Sequence, residues 1–107
     1  MNKLNVQAFT NANFNEEVLR SPLPVLVHFM ASWCGPCNAL DPIVAQVAKD
    51  LQGKAKVGKL NIDENPEITR KFGIRLVPTC VVFQRGTKQE SQMGIASYDT
   101  LRELLGV

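Results

Sequence analysis

Hydrophobic and polar positions along this chain follow two different periods, which predict alternating strands and helices. Residues 25–30 are apolar on both alternating faces except at His28. This pattern is typical of a central strand covered on both sides. Gly and Pro interrupt the apolar runs and separate the elements. The other predicted strands cover residues 4–8, at an edge, then 56–62 and 79–84, and 89–93, which returns in a hairpin after a tight turn at 85–87.

Apolar residues also recur at helical spacing in four stretches. The clearest stretch follows residue 37, where Leu40, Ile43, Val44, Val47 and Leu51 fall at i, i+3, i+4, i+7 and i+11. We expect the polar residues of this stretch to occupy the opposite face, among them Asn38, Asp41, Gln46, Lys49 and Asp50. The other three predicted helices carry Phe14 and Val18, then Ile68 and Phe72, and finally Tyr98, Leu101, Leu104 and Leu105.

Helix ends are also visible in the sequence. Asn13 with Glu16 three residues later resembles a capping box for the first helix, and Ser97 is suited to cap the last. The resulting element order is βαβαβαββα. This order predicts an α/β fold with a mixed sheet and helices on both faces, and 107 residues suit a single domain spanning residues 1–107.

Composition narrows the classes of function. The net charge of +2 comes from 12 basic and 10 acidic residues spread along the chain, so nucleic acid and membrane surfaces are not expected partners. The first residues lack the apolar segment of a signal peptide, and three cysteines are an odd number for a disulfide-stapled secreted scaffold. We expect a reducing compartment: the cytoplasm, or an organelle stroma or matrix if a transit peptide was removed.

The candidate catalytic residues lie within residues 31–38, Ala-Ser-Trp-Cys-Gly-Pro-Cys-Asn, between the predicted central strand and the most clearly predicted helix. This arrangement places Cys34 beside the unpaired amide groups that begin a helix, where a thiolate is favoured. Cys37 follows about one helical turn later, on the same side. The stretch therefore predicts a dithiol–disulfide exchange site with a nucleophilic thiol and a second thiol that resolves the intermediate.

The chain resembles the thioredoxin family at Trp33-Cys34-Gly35-Pro36-Cys37 and along most of its length. The further matching positions are Val25-Leu26-Val27, Pro42, Lys59 to Asp63, Ile74-Arg75, Val77-Pro78-Thr79, Gly86 and Gly94. The resemblance implies the thioredoxin fold, a central mixed five-stranded sheet flanked by four helices. It also implies protein disulfide reduction as the activity, with Val77-Pro78 as a cis peptide facing the cysteines.

The resemblance further assigns roles to single residues. Cys34, exposed at the helix start, would attack a target disulfide, and the more buried Cys37 would release the product. Pro78 would lie opposite the sulfurs, and the Val77 backbone would pair with an extended target strand. The implied substrate-binding surface comprises Trp33, Gly35, Pro36, Val77, Pro78, Thr79, Gly94 and Ile95. No bound cofactor is expected. Reducing equivalents would come from a thioredoxin reductase that uses NADPH or ferredoxin, and the protein would act as a monomer.

His28 departs from the family pattern, which usually has a buried aspartate at this point of the strand. One hypothesis is that neutral His28 takes the proton of the resolving thiol, since its reference pKa near 6.5 suits that role. A second is that loss of a nearby negative charge favours the thiolate and makes the protein more oxidising. A third is a core histidine without a catalytic part. Lys59, if it lies beside His28, would oppose protonation of the ring, which favours the neutral form.

Two other classes of function remain open at this point. Cys34, Cys37, His28 and Cys80 are four soft ligands that could form a metal site, although a single C-x-x-C with a proline inside it argues against this. A redox-tuned docking or structural subunit is the other alternative. Cys80, on an apolar strand, is expected to be a small buried hydrophobic residue. The functional alternative is a regulatory thiol or an intermolecular disulfide.

Overall fold

Five strands and four helical segments alternate in the computed structural model, which describes residues 5–107. A short π-helix lies between the first two strands. The predicted first strand is confirmed over three residues, and Leu4 lies outside the described residues. The elements are β1 (Val6–Ala8), the π-helix (Asn15–Leu19), β2 (Val25–Met30), α1 (Gly35–Asp50), β3 (Lys56–Asn61), α2 (Pro66–Lys71), β4 (Thr79–Gln84), β5 (Thr87–Met93) and α3 (Tyr98–Leu105).

The strands form one mixed sheet in the order β1-β3-β2-β4-β5. β1, β3 and β2 run parallel, whereas β4 and β5 are antiparallel to their neighbours. The central position of β2 explains its apolar sequence, because each face of this strand is covered by helices. The predicted α/β fold, a mixed five-stranded sheet with helices on both faces, is confirmed.

Alternation along β2 divides the core into two halves. Leu26 points to the face covered by α1 and α3, where it packs among Leu40, Val44 and Leu101. The residues on either side of Leu26 point to the opposite face. That face is covered by the π-helix and α2, and its buried cluster includes Phe9, Phe14, Val18, Val25, Val27, Phe29, Leu60, Ile68, Val81 and Phe83.

The start of the first helical segment differs from the prediction. Phe14 and Val18 are buried as expected, but Asn13 does not cap the helix. The Asn13 side chain instead accepts a hydrogen bond from the Thr10 amide at 2.7 Å and donates one to the Ala8 carbonyl. Glu16 pairs with Arg20 on the surface rather than reaching back to a cap. The capping box was wrong because a turn preceding the helix uses the same asparagine oxygen.

The hairpin between β4 and β5 also differs slightly from the prediction. β5 begins at Thr87, two residues earlier than expected. The turn contains only Arg85 and Gly86, both with positive φ (52° and 78°), as in two-residue hairpins. Among the described residues, no helix is long and apolar enough to cross a bilayer.

Candidate active site

Cys34 lies at the N-cap of α1, where β2 has ended and the helix begins. Its sulfur accepts a hydrogen bond from the Cys37 amide at 3.1 Å. That amide is one of the first N–H groups of the helix, which have no carbonyl partner. Pro36, in the first turn, lacks an N–H and therefore leaves none unsatisfied. The helix start thus presents its positive end to the Cys34 sulfur, as the sequence predicted.

Cys34 and Cys37 are joined as a disulfide, with their Cα atoms 5.3 Å apart. Cys37 is the more buried, at 1% exposed, but Cys34 is only 3% exposed. The expectation of an exposed Cys34 was therefore wrong for this oxidised form. Ala31, Met30, Ile62 and Val77 pack around the bonded sulfurs and cover them. A target disulfide must accordingly approach across the side chains that surround the pair.

The loop before β4 lies against this disulfide. The Val77–Pro78 peptide is cis, as the resemblance implied, and Val77 packs against the cysteine cluster. The Pro78 carbonyl accepts a hydrogen bond from the Gly94 amide at 2.8 Å, which joins this loop to the end of β5. Gly94 has φ of +85°, a conformation in which a side chain would be strained. Val77, Pro78 and Gly94 are thus brought together beside the cysteines.

Large apolar side chains are exposed around the same loops. Trp33 is 69% exposed and Ile95 is 55% exposed, and Gly35 and Pro36 are also open to solvent. Pro78 and Thr79 do not lie on this surface, because both are buried. The Thr79 hydroxyl donates to the Leu76 carbonyl at 2.8 Å. Leu76 and Met93 are both exposed. Sequence reasoning did not include Met93, although its place at the end of a strand preceding Gly94 was a usable signal.

The Trp33 ring is held in place by an interaction that the sequence analysis missed. Its indole Nε1 donates a hydrogen bond to Asp63 Oδ2 at 2.8 Å. Asp63 is itself positioned by Asn61, whose side-chain oxygen accepts from the Asp63 and Glu64 amides. An exposed tryptophan is thereby kept in one orientation beside Cys34. The two partners are 30 residues apart in sequence, so spacing alone gave no indication of this contact.

His28 is completely buried in β2 on the face covered by α1. Neither ring nitrogen has a hydrogen-bond partner within the protein. Burial lowers the pKa of His28 to about 4, nearby Asp41 opposes this shift, and Lys59 adds to it. Lys59 is the neighbour of His28 in the β2–β3 register, as the resemblance implied. The ring is therefore neutral near pH 7, which agrees with the sequence prediction.

Asp41 contacts both of these residues and was misplaced by the sequence analysis. Its Oδ1 lies 3.6 Å from His28 Nδ1, and its Oδ2 lies 3.6 Å from Lys59 Nζ. The Asp41 side chain is 36% exposed rather than fully solvated. Helical periodicity assigned it to the polar face, but α1 packs closely enough on the sheet for that edge of the helix to reach β2 and β3.

Cys80 is buried and is the residue opposite His28 in the β2–β4 register. Burial raises the pKa of its thiol to about 12, so the thiol is neutral and protonated. This confirms the expected small hydrophobic residue. Within residues 5–107, no group of three or more His, Cys, Asp or Glu side chains is arranged to hold a metal ion. The sulfurs of Cys34 and Cys37 are instead bonded to each other.

The buried His28 predicts a pH-dependent stability. Because its folded pKa, about 4, lies below the unfolded value of 6.5, the unfolded chain binds the extra proton between these pH values. The folded state keeps its full stability above pH 6.5 and loses about 3 kcal/mol as the pH falls to 4. Urea unfolding of wild type and His28→Leu between pH 7.5 and 4 measures this loss. The carboxylates titrate in both proteins, so the difference between the two pH profiles reports His28. Equal pH dependence in the two proteins would contradict the prediction.

Comparisons with known proteins agree with this site. The family profile described as Thioredoxin matches residues 5–106. A thioredoxin of Rickettsia bellii is 50% identical over 88% of this chain and 90% of its own length. Thioredoxin 1 of a Nostoc species is 44% identical over 90% of each chain. Chloroplastic thioredoxin M4 of Arabidopsis thaliana is 43% identical over 94% of this chain and 52% of its own. The chain therefore belongs to the thioredoxin family of protein disulfide oxidoreductases.

Proposed function

We propose that this protein reduces disulfides in target proteins, with Cys34 as the nucleophile and Cys37 as the resolving thiol. The observation that carries this assignment is the position of Cys34 at the N-cap of α1, where its sulfur accepts the Cys37 amide hydrogen bond. A thiolate at Cys34 is stabilised by that amide and by the helix dipole. Cys37 lies deeper, within bonding distance of Cys34, which suits the intramolecular second step.

The reaction proceeds by two exchanges at sulfur. The Cys34 thiolate attacks one sulfur of the target disulfide, and the other target sulfur leaves as a thiolate that takes a proton from water. Cys37 then loses its proton and attacks Cys34 Sγ. The bond between Cys34 and the target breaks, and the second target sulfur leaves with the electron pair. The protein pair is oxidised to the disulfide, and the target is reduced by two electrons.

The exposed apolar surface around the disulfide is proposed to bind the target. It comprises Trp33, Gly35, Pro36, Val77, Gly94 and Ile95, to which the structure adds Leu76 and Met93 as exposed neighbours, whereas Pro78 is buried. A surface of this kind fits an extended segment of many different proteins. The Val77 backbone is proposed to pair with that segment, as in strand addition. Thr79 supports this surface through its hydrogen bond to the Leu76 carbonyl.

His28 is proposed to accept the proton of Cys37 in the second exchange. It is neutral near pH 7, so a ring nitrogen has a free lone pair. On the same strand face, the residue after next is Met30, which packs against the cysteine cluster. Lys59 has a supporting role, since its charge adjoins the ring and favours the neutral form. This role is kinetic and does not require the protein to be more oxidising.

Family membership implies a thioredoxin reductase and disulfide-containing targets as partners. We propose that the reductase delivers electrons from NADPH or ferredoxin and that the protein acts as a monomer. We further propose that residues 1–107 form one thioredoxin domain that works in a reducing compartment. That compartment is the cytoplasm, or an organelle stroma or matrix. A chloroplastic relative supports the second of these.

Dithiothreitol-driven reduction of insulin disulfides tests the proposed function, together with the midpoint potential of the Cys34–Cys37 pair. We expect catalysed reduction and a potential near the value of about −270 mV typical of thioredoxins. His28→Asp in the same assays tests the role of the histidine. Negligible reduction, or a potential far above that value, would favour docking or oxidation instead. Equal potentials in wild type and His28→Asp would remove any redox role of His28, and equal turnover would show that histidine and aspartate serve the second exchange equally well.

A further inference from the structure

The polar contact of α1 with β2 and β3 places a second residue in the path of the Cys37 proton. We propose that Asp41 is a positioning residue that orients His28 and passes its proton to solvent. This inference rests on the proposed role of His28 as the acceptor of that proton. Among residues 5–107, Asp41 is the carboxylate that pairs with the buried ring, and it lies on α1 rather than on the strand that carries the histidine.

The burial of His28 makes some such partner necessary. The ring is inaccessible to solvent, so a proton taken from Cys37 has no direct route to water. Both ring nitrogens lack a hydrogen-bond partner within the protein, so the tautomer is not fixed by a backbone carbonyl. The groups around the ring are Lys59 on β3, Cys80 on β4 and Asp41 on α1. Lys59 is a cation and Cys80 is a neutral thiol, so only Asp41 can accept a proton from the ring.

The geometry of Asp41 suits this task. Its Oδ1 lies 3.6 Å from His28 Nδ1, close enough to favour the tautomer with the proton on that nitrogen. Nε2 then keeps its lone pair for the incoming proton. Such contacts are often long in the resting enzyme and tighten in the reacting complex. Asp41 also lies four residues after Cys37 on the same helix, so the two side chains share one face.

Asp41 also reaches the surface, which the ring does not. The side chain is 36% exposed, and its second oxygen lies 3.6 Å from Lys59 Nζ. The carboxylate therefore joins the buried ring to water. In the second exchange, Nε2 gains the Cys37 proton while Nδ1 gives its own to Asp41, which releases it to solvent. The ring never holds a net charge in the apolar interior, where protonation is disfavoured.

Trapping of the mixed disulfide tests this inference. Reduced Asp41→Asn protein is mixed with excess insulin between pH 6 and 9, quenched in acid and alkylated, and the covalent Cys34–insulin adduct is measured by mass spectrometry. We expect this adduct to form at the wild-type rate but to decay about tenfold more slowly at pH 7. This is less than the roughly 100-fold minimum typical of a direct proton acceptor, because Asp41 acts through the ring. The deficit should shrink toward pH 9, since hydroxide can then take the Cys37 proton in place of the relay. Because Asp41 is partly exposed, the variant is expected to fold.

Two further variants make the result specific. Asp50→Asn removes the same charge from the last turn of the same helix, remote from the cysteines, and should match wild type. Equal slowing in Asp50→Asn, a deficit that does not change with pH, or wild-type decay in Asp41→Asn would each overturn the inference. His28→Asn separates the two proposals. If its adduct decays slowly while that of Asp41→Asn decays normally, only Asp41 is excluded. If the His28→Asn adduct decays normally, His28 is not the acceptor of the Cys37 proton, and the proposed role of Asp41 is excluded as well.

Discussion

Cys37→Ser is expected to abolish turnover and to leave the protein covalently attached to its target. Cys34 at the helix N-cap retains its activating amide groups in this variant, so the first exchange still occurs. The second exchange lacks its nucleophile, because a serine hydroxyl is not ionised near pH 7 and cannot displace a thiolate from Cys34. Insulin reduction should fall at least about 100-fold, while a mixed disulfide that dithiothreitol cleaves accumulates on a non-reducing gel.

Cys34→Ser is the matched control for this prediction. It removes the nucleophile, so it should lose turnover equally but form no adduct, since Cys37 is the more deeply buried sulfur. Cys80 should form none in either variant, because burial keeps its thiol protonated and inaccessible. An adduct at Cys37 in Cys34→Ser, identified by peptide mapping, would reverse the assigned roles. Turnover retained by Cys37→Ser would show that target release does not need a second thiol of this protein.

Phe14→Ala is expected to have the largest effect on stability, lowering the free energy of unfolding by about 3–5 kcal/mol. The ring is fully buried between the π-helix and the sheet. Its centroid lies 6.4 Å from that of Phe9, 5.5 Å from that of Phe72 and 5.4 Å from that of Phe83. Truncation therefore removes three aromatic contacts and leaves a cavity. The total free energy of unfolding of such a domain is about 5–15 kcal/mol, so the expected loss is a large share of it.

Phe72→Ala offers a matched comparison within the same aromatic cluster. Phe72 also contacts Phe14 and Phe83, but it is partly exposed at the end of α2. Truncating Phe72 removes less buried apolar area, and the space it leaves opens toward solvent. We therefore expect the free energy of unfolding to fall by only about 1–2 kcal/mol. Urea unfolding of both variants in the oxidised form measures the difference. Equal losses would show that contact with the cluster, rather than complete burial, determines the contribution of each ring.

Most of the fold could be read from the sequence, because periodicity within an element determines which of its faces is buried. The apolar run at residues 25–30 predicted the central strand, and the spacing from Leu40 to Leu51 predicted α1. Errors arose where one polar group had two potential partners. Asn13 was assigned to a helix cap, but its side chain bonds to Thr10 and Ala8 in the preceding turn. Local pattern cannot rank two such partners when both are near in sequence.

The candidate site likewise combines features that the sequence predicted with features that it did not. The position of Cys34 at a helix start, with Cys37 one turn later, follows from a few adjacent residues: an apolar strand, a Gly-Pro pair and a helical pattern. The burial of His28 followed from the apolar strand around it, and its neutrality from the adjacent Lys59 that the family resemblance implied. These properties depend on local chain geometry and on burial, and the sequence by itself determined both.

Only the tertiary structure decided which groups from other elements meet at that site. The contact of Asp41 with His28, the hydrogen bond of Asp63 to Trp33, and the shielding of Cys34 by Val77 each join residues distant in sequence. Hydrophobic periodicity specifies a buried face but not what lies opposite it, since packing angle and strand register determine that. An aspartate on the polar side of a helix thus became the partner of a buried histidine because α1 lies close against the centre of the sheet.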